Sequence, residues 1–195
     1  MNIFLIEFQT KKDSLKLSRV LLNYLLINFY NINLPILEDN GKPYIDNELC
    51  FSISHSRNIL CIAFDYFPIG IDIEYSFKNR EYNELLKQMG VEISENISRE
   101  EFYKIWTIYE ANFKSGIQQE NICFKYKDYV CSLSSRTKSM PVIYEVKIPK
   151  NKTIERELIN LKLTNDNAQK ENSVVIQEIV IASSELLSLP TLKIE

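Results

Sequence analysis

Ile69-Gly70-Ile71-Asp72-Ile73-Glu74 is the stretch whose reading decides the fold, with isoleucine at every second position and a glycine and two acids between. Successive side chains of a strand point to opposite faces, so Ile71 and Ile73 enter a core while Asp72 and Glu74 share the other face. Gly70 leaves room for something to approach that face. Just upstream, 51–54 (Phe-Ser-Ile-Ser) and 59–64 (Ile-Leu-Cys-Ile-Ala-Phe) are β-rich, and Asp65-Tyr66-Phe67-Pro68 is a turn. The strands 59–64 and 69–74 are therefore expected to form a hairpin. Downstream, Ser98 and Glu101 have capping-box spacing, which predicts a helix running to about Lys114 with Gly116 ending it. Phe102, Ile105, Trp106, Tyr109 and Phe113 make its apolar stripe, while Glu110 and Lys114, four residues apart, share another face.

The chain begins with a strand at 3–8. A helix follows, capped by Asp13, whose apolar side holds Leu15, Leu22, Leu25, Leu26 and Phe29. The stretch 31–43 breaks the helical pattern. Strands are expected at 122–126, 142–148 and 174–182, so a second strand-helix-strands block follows the first. This element order is that of an α+β protein of two similar halves, 1–68 and 69–195, forming one compact unit. The polar excursion 151–172 is assigned no function.

With 195 residues, 45% of them hydrophobic, the chain can bury an ordinary core, and a formal net charge of -3 argues against a general nucleic-acid binder. Cys50, Cys61, Cys123 and Cys131 lack metal or redox spacing, which points to reduced thiols and a cytoplasmic protein. The opening apolar run is too short for a signal peptide, and no stretch reaches membrane-spanning length, so a soluble protein away from membranes is expected.

Asp72, Glu74 and Glu110, with no His or Cys among them, would suit a hard cation that prefers oxygen ligands, magnesium or manganese. Lys114 beside them could neutralise charge building on a diphosphate leaving group. Ser54, His55 and Ser56 end a short strand, where hydroxyls, the sole imidazole and free backbone N–H groups could meet phosphate oxygens, with Arg57 a further candidate. Gly41-Lys42-Pro43 reads as a turn, in which Lys42 matters if the turn faces the same pocket.

In order and spacing, Gly41-Lys42-Pro43, Phe51 to Ser56, Ile69 to Glu74 and the Trp106-Thr107-x-x-Glu110-Ala111-x-x-Lys114 pattern resemble the 4'-phosphopantetheinyl transferases of the surfactin-synthetase activating (Sfp) type. The resemblance implies a pseudo-dimer of two α/β halves with the active site between them. It also implies transfer of the 4'-phosphopantetheine arm of coenzyme A to a serine of an acyl or peptidyl carrier protein, releasing adenosine 3',5'-bisphosphate. By motif position, Asp72, Glu74 and Glu110 correspond to the metal ligands and Lys114 to a diphosphate contact. Ser54 and His55 correspond to coenzyme A phosphate contacts, and Lys42 to a contact at the adenine nucleotide end. Magnesium, or manganese, is the implied cofactor, and a monomer carrying both halves would complete its own site. Tyr109 stands where the family pattern has lysine. That difference motivates a rival reading, a non-catalytic homologue that binds coenzyme A or a carrier protein without turnover.

Overall fold

Ile3, Phe4, Leu5 and Ile6 are apolar without alternation, and the reason is that β1 (Asn2–Glu7) is buried on both faces. The computed structural model describes residues 1–8, 11–78, 80–91, 97–116, 120–137, 139–147 and 176–180, without the side chains of 11–16 and 176–180. β1 lies in the middle of a five-stranded sheet. On one side it pairs antiparallel with β5 (Ile59–Asp65), which pairs antiparallel with β4 (Cys50–Ser56). On its other side run β9 (Val142–Lys147) and then β10 (Ile176–Val180), both parallel. A second sheet has three antiparallel strands in the order β6 (Ile69–Tyr75), β8 (Tyr129–Ser135), β7 (Asn121–Tyr126).

The α1 helix (Lys11–Tyr30) covers one face of the first sheet, where Leu21, Leu22, Leu25 and Leu26 meet Phe4, Ile6, Leu60, Ile62 and Phe64. Helix formation has begun two residues before Asp13, so Asp13 lies inside the first turn and is not the expected cap; a cap residue has non-helical backbone angles. The opposite face of the same sheet, Ile3, Leu5, Cys61 and Ala63, packs on Ile69, Ile71, Ile73, Cys131 and Leu133 of the second sheet. The outer face of that second sheet is covered by α3 (Arg99–Ser115). Burying about 1.5–3 kcal/mol of side chain at each large aliphatic position, these two interfaces supply the main drive for folding.

The expected hairpin between 59–64 and 69–74 does not form. Both edges of β5 are taken, by β1 and β4, so the turn after Asp65 carries the chain into the second sheet, where β6 pairs with β8. The Asp65 carboxylate ties this crossing down by accepting hydrogen bonds from the hydroxyls of Ser135 (2.6 Å) and Thr137 (2.7 Å). A short hairpin of β2 (Leu37–Asp39) and β3 (Lys42–Tyr44) turns through Asn40 and Gly41, both at positive φ as a two-residue primed turn demands. Beyond it, α2 (Tyr82–Gln88) packs Leu86 against Phe102 and Tyr103 of α3. The stretch 151–172 lies outside the described residues. No described helix is long and apolar enough to cross a membrane, and all four cysteines are free thiols.

The α3 helix carries the expected capping box: Ser98 accepts from the Glu101 N–H, and the Glu101 carboxylate accepts from the Ser98 N–H. Gly116 ends the helix in the left-handed region. Its buried face differs from the expected stripe. Phe102 is fully buried, but Tyr109 and Phe113 are 45% and 77% exposed, and Thr107, Ala111 and Ser115 face inward instead. Small residues are required there because the helix backbone comes directly onto Gly70; a Cβ at that position would lie 1.9 Å from the Ala111 carbonyl oxygen. What approaches Gly70 is therefore the helix. Gly70→Ala is expected to destabilise the fold by about 3 kcal/mol, the upper end for overpacking against atoms that cannot move aside, as read by urea denaturation.

Candidate active site

The edges of the two sheets meet along β4 and β6, and side chains join them there. Pairing with β8 leaves the N–H groups of Ile71, Ile73 and Tyr75 pointing away from the second sheet, and an unpaired buried N–H is costly. Ser52, Ser54 and Ser56 alternate along β4 and supply the acceptors, with their hydroxyl oxygens 3.1, 3.3 and 3.0 Å from those three nitrogens in turn. Each hydroxyl still has a proton to donate. Ser54 gives its proton to Asp72 Oδ1 and Ser56 to Glu74 Oε2, both at 2.7 Å. The seam that joins the sheets thus also fixes the two acids of β6.

From the other side, α3 delivers Lys114. Its Nζ lies 2.7 Å from Asp72 Oδ1 and 3.1 Å from the Ile71 carbonyl oxygen. Asp72 is 6% exposed, and its second oxygen, Oδ2, is buried with no hydrogen-bond partner. Burial pushes the Asp72 carboxyl above its ordinary value, against the pull of Lys114 and Ser54. Glu110, one turn before Lys114 on the same helical face, makes no side-chain hydrogen bond or ion pair among the described residues. Its carboxyl is raised by burial and then by the negative charge of Asp72. The Lys114 ammonium offsets part of that rise, in Glu110 as in Asp72.

Glu74 is in a different state. Arg80 lies 2.8 Å from its Oε1, and Lys78 joins Ser56 on its Oε2. Burial works to raise this carboxyl, but the hydrogen bonds of Lys78 and Ser56 and the charges of Lys78 and Arg80 outweigh it, leaving Glu74 below its ordinary value. Among the described residues, no three His, Cys, Asp or Glu side chains form a group that could hold a metal ion. The set Asp72, Glu74 and Glu110 shares one region without forming one ligand shell, because Glu74 is already neutralised by two cations.

The remaining expected residues lie around this centre. Lys42 reaches from the β3 strand to donate to the Lys114 carbonyl oxygen (2.6 Å), capping the last turn of α3. It lines a cleft of about 170 Å³ with Tyr44, Cys50, Pro68 and Ser115. His55 is exposed and, by strand alternation, lies on the opposite face of β4 from Ser54. The guanidinium of Arg57 stacks 3.3 Å from the centroid of the Tyr75 ring at the far end of the seam. The sequence reading missed Lys78 and Arg80, because they follow a strand and its turn, where spacing from Glu74 predicts no contact.

A buried carboxylate with one oxygen lacking a hydrogen-bond partner, a second carboxylate outside any hydrogen bond and a lysine on the first can together bind a cation and a phosphate. No protein-family model matches the chain. Over 127 residues it is 30% identical to the 4'-phosphopantetheinyl transferase gsp of Aneurinibacillus migulanus, a match covering 56% of this chain and 52% of the relative. It is also 34% identical over 97 residues to the 4'-phosphopantetheinyl transferase HetI of Nostoc sp., covering 40% and 39% respectively. The chain is thus similar to proteins of the class its four motifs resemble, and spans about half or less of the length of each.

The lowered carboxyl of Glu74 has a consequence for stability. A group whose folded-state pKa is depressed stabilises the fold above its unfolded-state pKa, and that contribution is lost as pH falls through the folded value. Glu74→Gln is therefore expected to cost about 1–2 kcal/mol at neutral pH. The difference from the parent should shrink as the pH drops below the ordinary glutamate value, as read by denaturant titrations across an acid series.

Proposed function

We propose that this protein transfers the 4'-phosphopantetheine arm of coenzyme A to a serine of an acyl or peptidyl carrier protein, as a transferase of the surfactin-synthetase activating type. One observation carries the reading: the open, buried Asp72 Oδ2 beside the unpaired Glu110 and the Lys114 ammonium, in a chain similar to two 4'-phosphopantetheinyl transferases. The strand orders agree with a pseudo-dimer, since β1-β5-β4 and β6-β8-β7 both place the last strand of each block between the other two. In this reading the halves 1–68 and 69–195 meet at the β4–β6 seam and again where β9 and β10 of the second range extend the sheet of β1, and a monomer holds the whole site.

The donor set fits a magnesium or manganese ion, which prefers oxygen ligands and is commonly held by one or two carboxylates together with waters and substrate phosphates. Asp72 and Glu110 would hold it, and once bound it would draw charge from the coenzyme A diphosphate. Glu74, the third carboxylate of the expected set, stands next to them. Lys114, held on Asp72, would stabilise the charge that develops on the departing adenosine 3',5'-bisphosphate. Ser54 acts on the same centre by holding Asp72 in place. Lys42, at the cleft beside the α3 terminus, takes the adenine nucleotide end. A contact of His55 with an outer phosphate requires the ligand to pass the edge of β4, since His55 faces away from Ser54.

In the transfer, the carrier serine Oγ forms a bond to the β-phosphorus, the bond from that phosphorus to the bridging oxygen breaks, and the bisphosphate leaves. The serine proton goes to Glu110, directly or through a water that it orients. Burial and the charge of Asp72 raise the Glu110 carboxyl in the absence of a cation, and a bound cation would lower it again, which favours the water that Glu110 orients as the acceptor.

The rival, non-catalytic reading rests on Tyr109, which is 45% exposed next to Glu110 where the resembled pattern has lysine. Intact-mass spectrometry of apo carrier proteins incubated with this protein, coenzyme A and magnesium separates the two. Addition of a phosphopantetheine arm is expected; coenzyme A binding with every carrier left unmodified favours the rival. Glu110→Gln should slow transfer by about a hundredfold or more, with the circular dichroism spectrum unchanged. An undiminished rate in that variant would remove Glu110 from the chemistry.

A further inference from the structure

Three acids and three cations meet at the β4–β6 seam, and their pairing is uneven. Glu74 has Arg80 on one oxygen and Lys78 with Ser56 on the other. Asp72 has one oxygen shared by Lys114 and Ser54 and the other open. The Glu110 side chain makes no hydrogen bond or ion pair among the described residues and feels Lys114 and Arg80 only through their charge. An entering divalent cation would have to displace two positive side chains to reach Glu74, whereas Asp72 Oδ2 and Glu110 are ready for it. An octahedral shell needs no third carboxylate, since water and phosphate oxygens complete it.

The cations held by Glu74 are themselves suited to a ligand. The Arg80 guanidinium lies 5.1 Å from the centroid of the Trp106 ring, and Trp106 precedes Glu110 by one helical turn, so its charge stands on the side of the site where Glu110 opens. A guanidinium has five N–H donors and a lysine ammonium three, so one carboxylate leaves several unspent, and one negative charge leaves the pair with a surplus positive charge. Phosphate oxygens match both the geometry and the charge.

We propose that Glu74 stands outside the cation's ligand shell and acts as the anchor of a phosphate-binding pair, Lys78 and Arg80, while Asp72 and Glu110 alone hold the divalent ion. This deepens, and rests on, the reading of the site as one for a metal and a diphosphate. Lys78 and Arg80 contact the phosphates of coenzyme A from the side of β6 opposite Lys42. Glu74 is a positioning residue, and its removal acts through the two cations.

Manganese binding without coenzyme A, followed by the electron paramagnetic resonance signal of the free ion, tests the first part. Asp72→Asn and Glu110→Gln should each weaken binding by about tenfold or more, which corresponds to about 1.4 kcal/mol. Glu74→Gln should stay within about threefold of the parent, because only the screened field of one charge is changed. A loss in Glu74→Gln equal to that in Asp72→Asn overturns the proposal. The unaltered protein gives a second measure that does not depend on a variant folding. Line broadening of bound manganese in ¹⁷O-enriched water should count about four waters, and a count of about three would restore Glu74 as a ligand. For the second part, calorimetric titration of coenzyme A in the presence of EDTA should show about tenfold weaker binding to Arg80→Ala, with manganese affinity unchanged. Unchanged coenzyme A affinity in that variant overturns the role of the pair. An unaltered protein that bound neither manganese nor coenzyme A would overturn the proposed function itself, whereas a failure confined to the variants or to the water count bears on this inference alone.

Discussion

Three serine hydroxyls along β4 close the row of backbone N–H groups that β6 would otherwise leave unpaired, and the arrangement of the site depends on that seam. A second strand could have satisfied the same N–H groups through its own carbonyls, but it would have continued the sheet. A side chain is longer than a backbone bond and can be aimed, so two sheets meet edge to edge while their apolar faces close on each other. The choice of serine brings a further property. A hydroxyl accepts and donates at once, so the groups that join the sheets also hold Asp72 and Glu74 from below.

The upper wall of the site depends on how closely α3 lies on the second sheet. Gly70, Ala111 and Ser115 carry almost no side chain where the two elements cross, and the helix comes near enough for Lys114 to reach the Asp72 carboxylate and the Ile71 carbonyl together. A thicker interface would leave that ion pair in water, where such pairs contribute little. Close packing instead buries it, with one carboxylate oxygen left over. Burial and the proximity of like charges then raise both Asp72 and Glu110, while two nearby cations lower Glu74. Neighbouring carboxylates are thereby shifted in opposite directions by burial, like charge and nearby cations.

Much of this was legible from local pattern. The alternation of β6, the capping box of α3, the strand at the amino terminus and the free cysteines all follow from residue type at fixed spacing. Other features carried a signal with more than one meaning. Serines at every second position look alike whether they await a phosphate or join two strands, and only the position of β6 separates the cases. In α3, Tyr109 and Phe113 complete an apolar stripe at helical period, yet they face solvent because Gly70 requires small residues at the crossing. The strand β8, Tyr-Val-Cys-Ser-Leu-Ser-Ser, is absent from the sequence expectations; Ser132 and Ser134 face α3, where Thr107 and Asn112 meet them, while Ser135 turns to Asp65.

By itself the sequence determined that a strand carries Asp72 and Glu74 on one face and that a capped helix carries Glu110 and Lys114 on another, because periodicity and spacing are properties of consecutive residues. Tertiary structure alone decided which strand edges meet, that β5 and β6 part company after Asp65, and that Glu74 is taken by Lys78 and Arg80 while Asp72 keeps an open oxygen. The reason is physical: strand pairing and ion pairing are competitions among several partners, and their outcome depends on which partner arrives at contact distance once the sheets and α3 are packed.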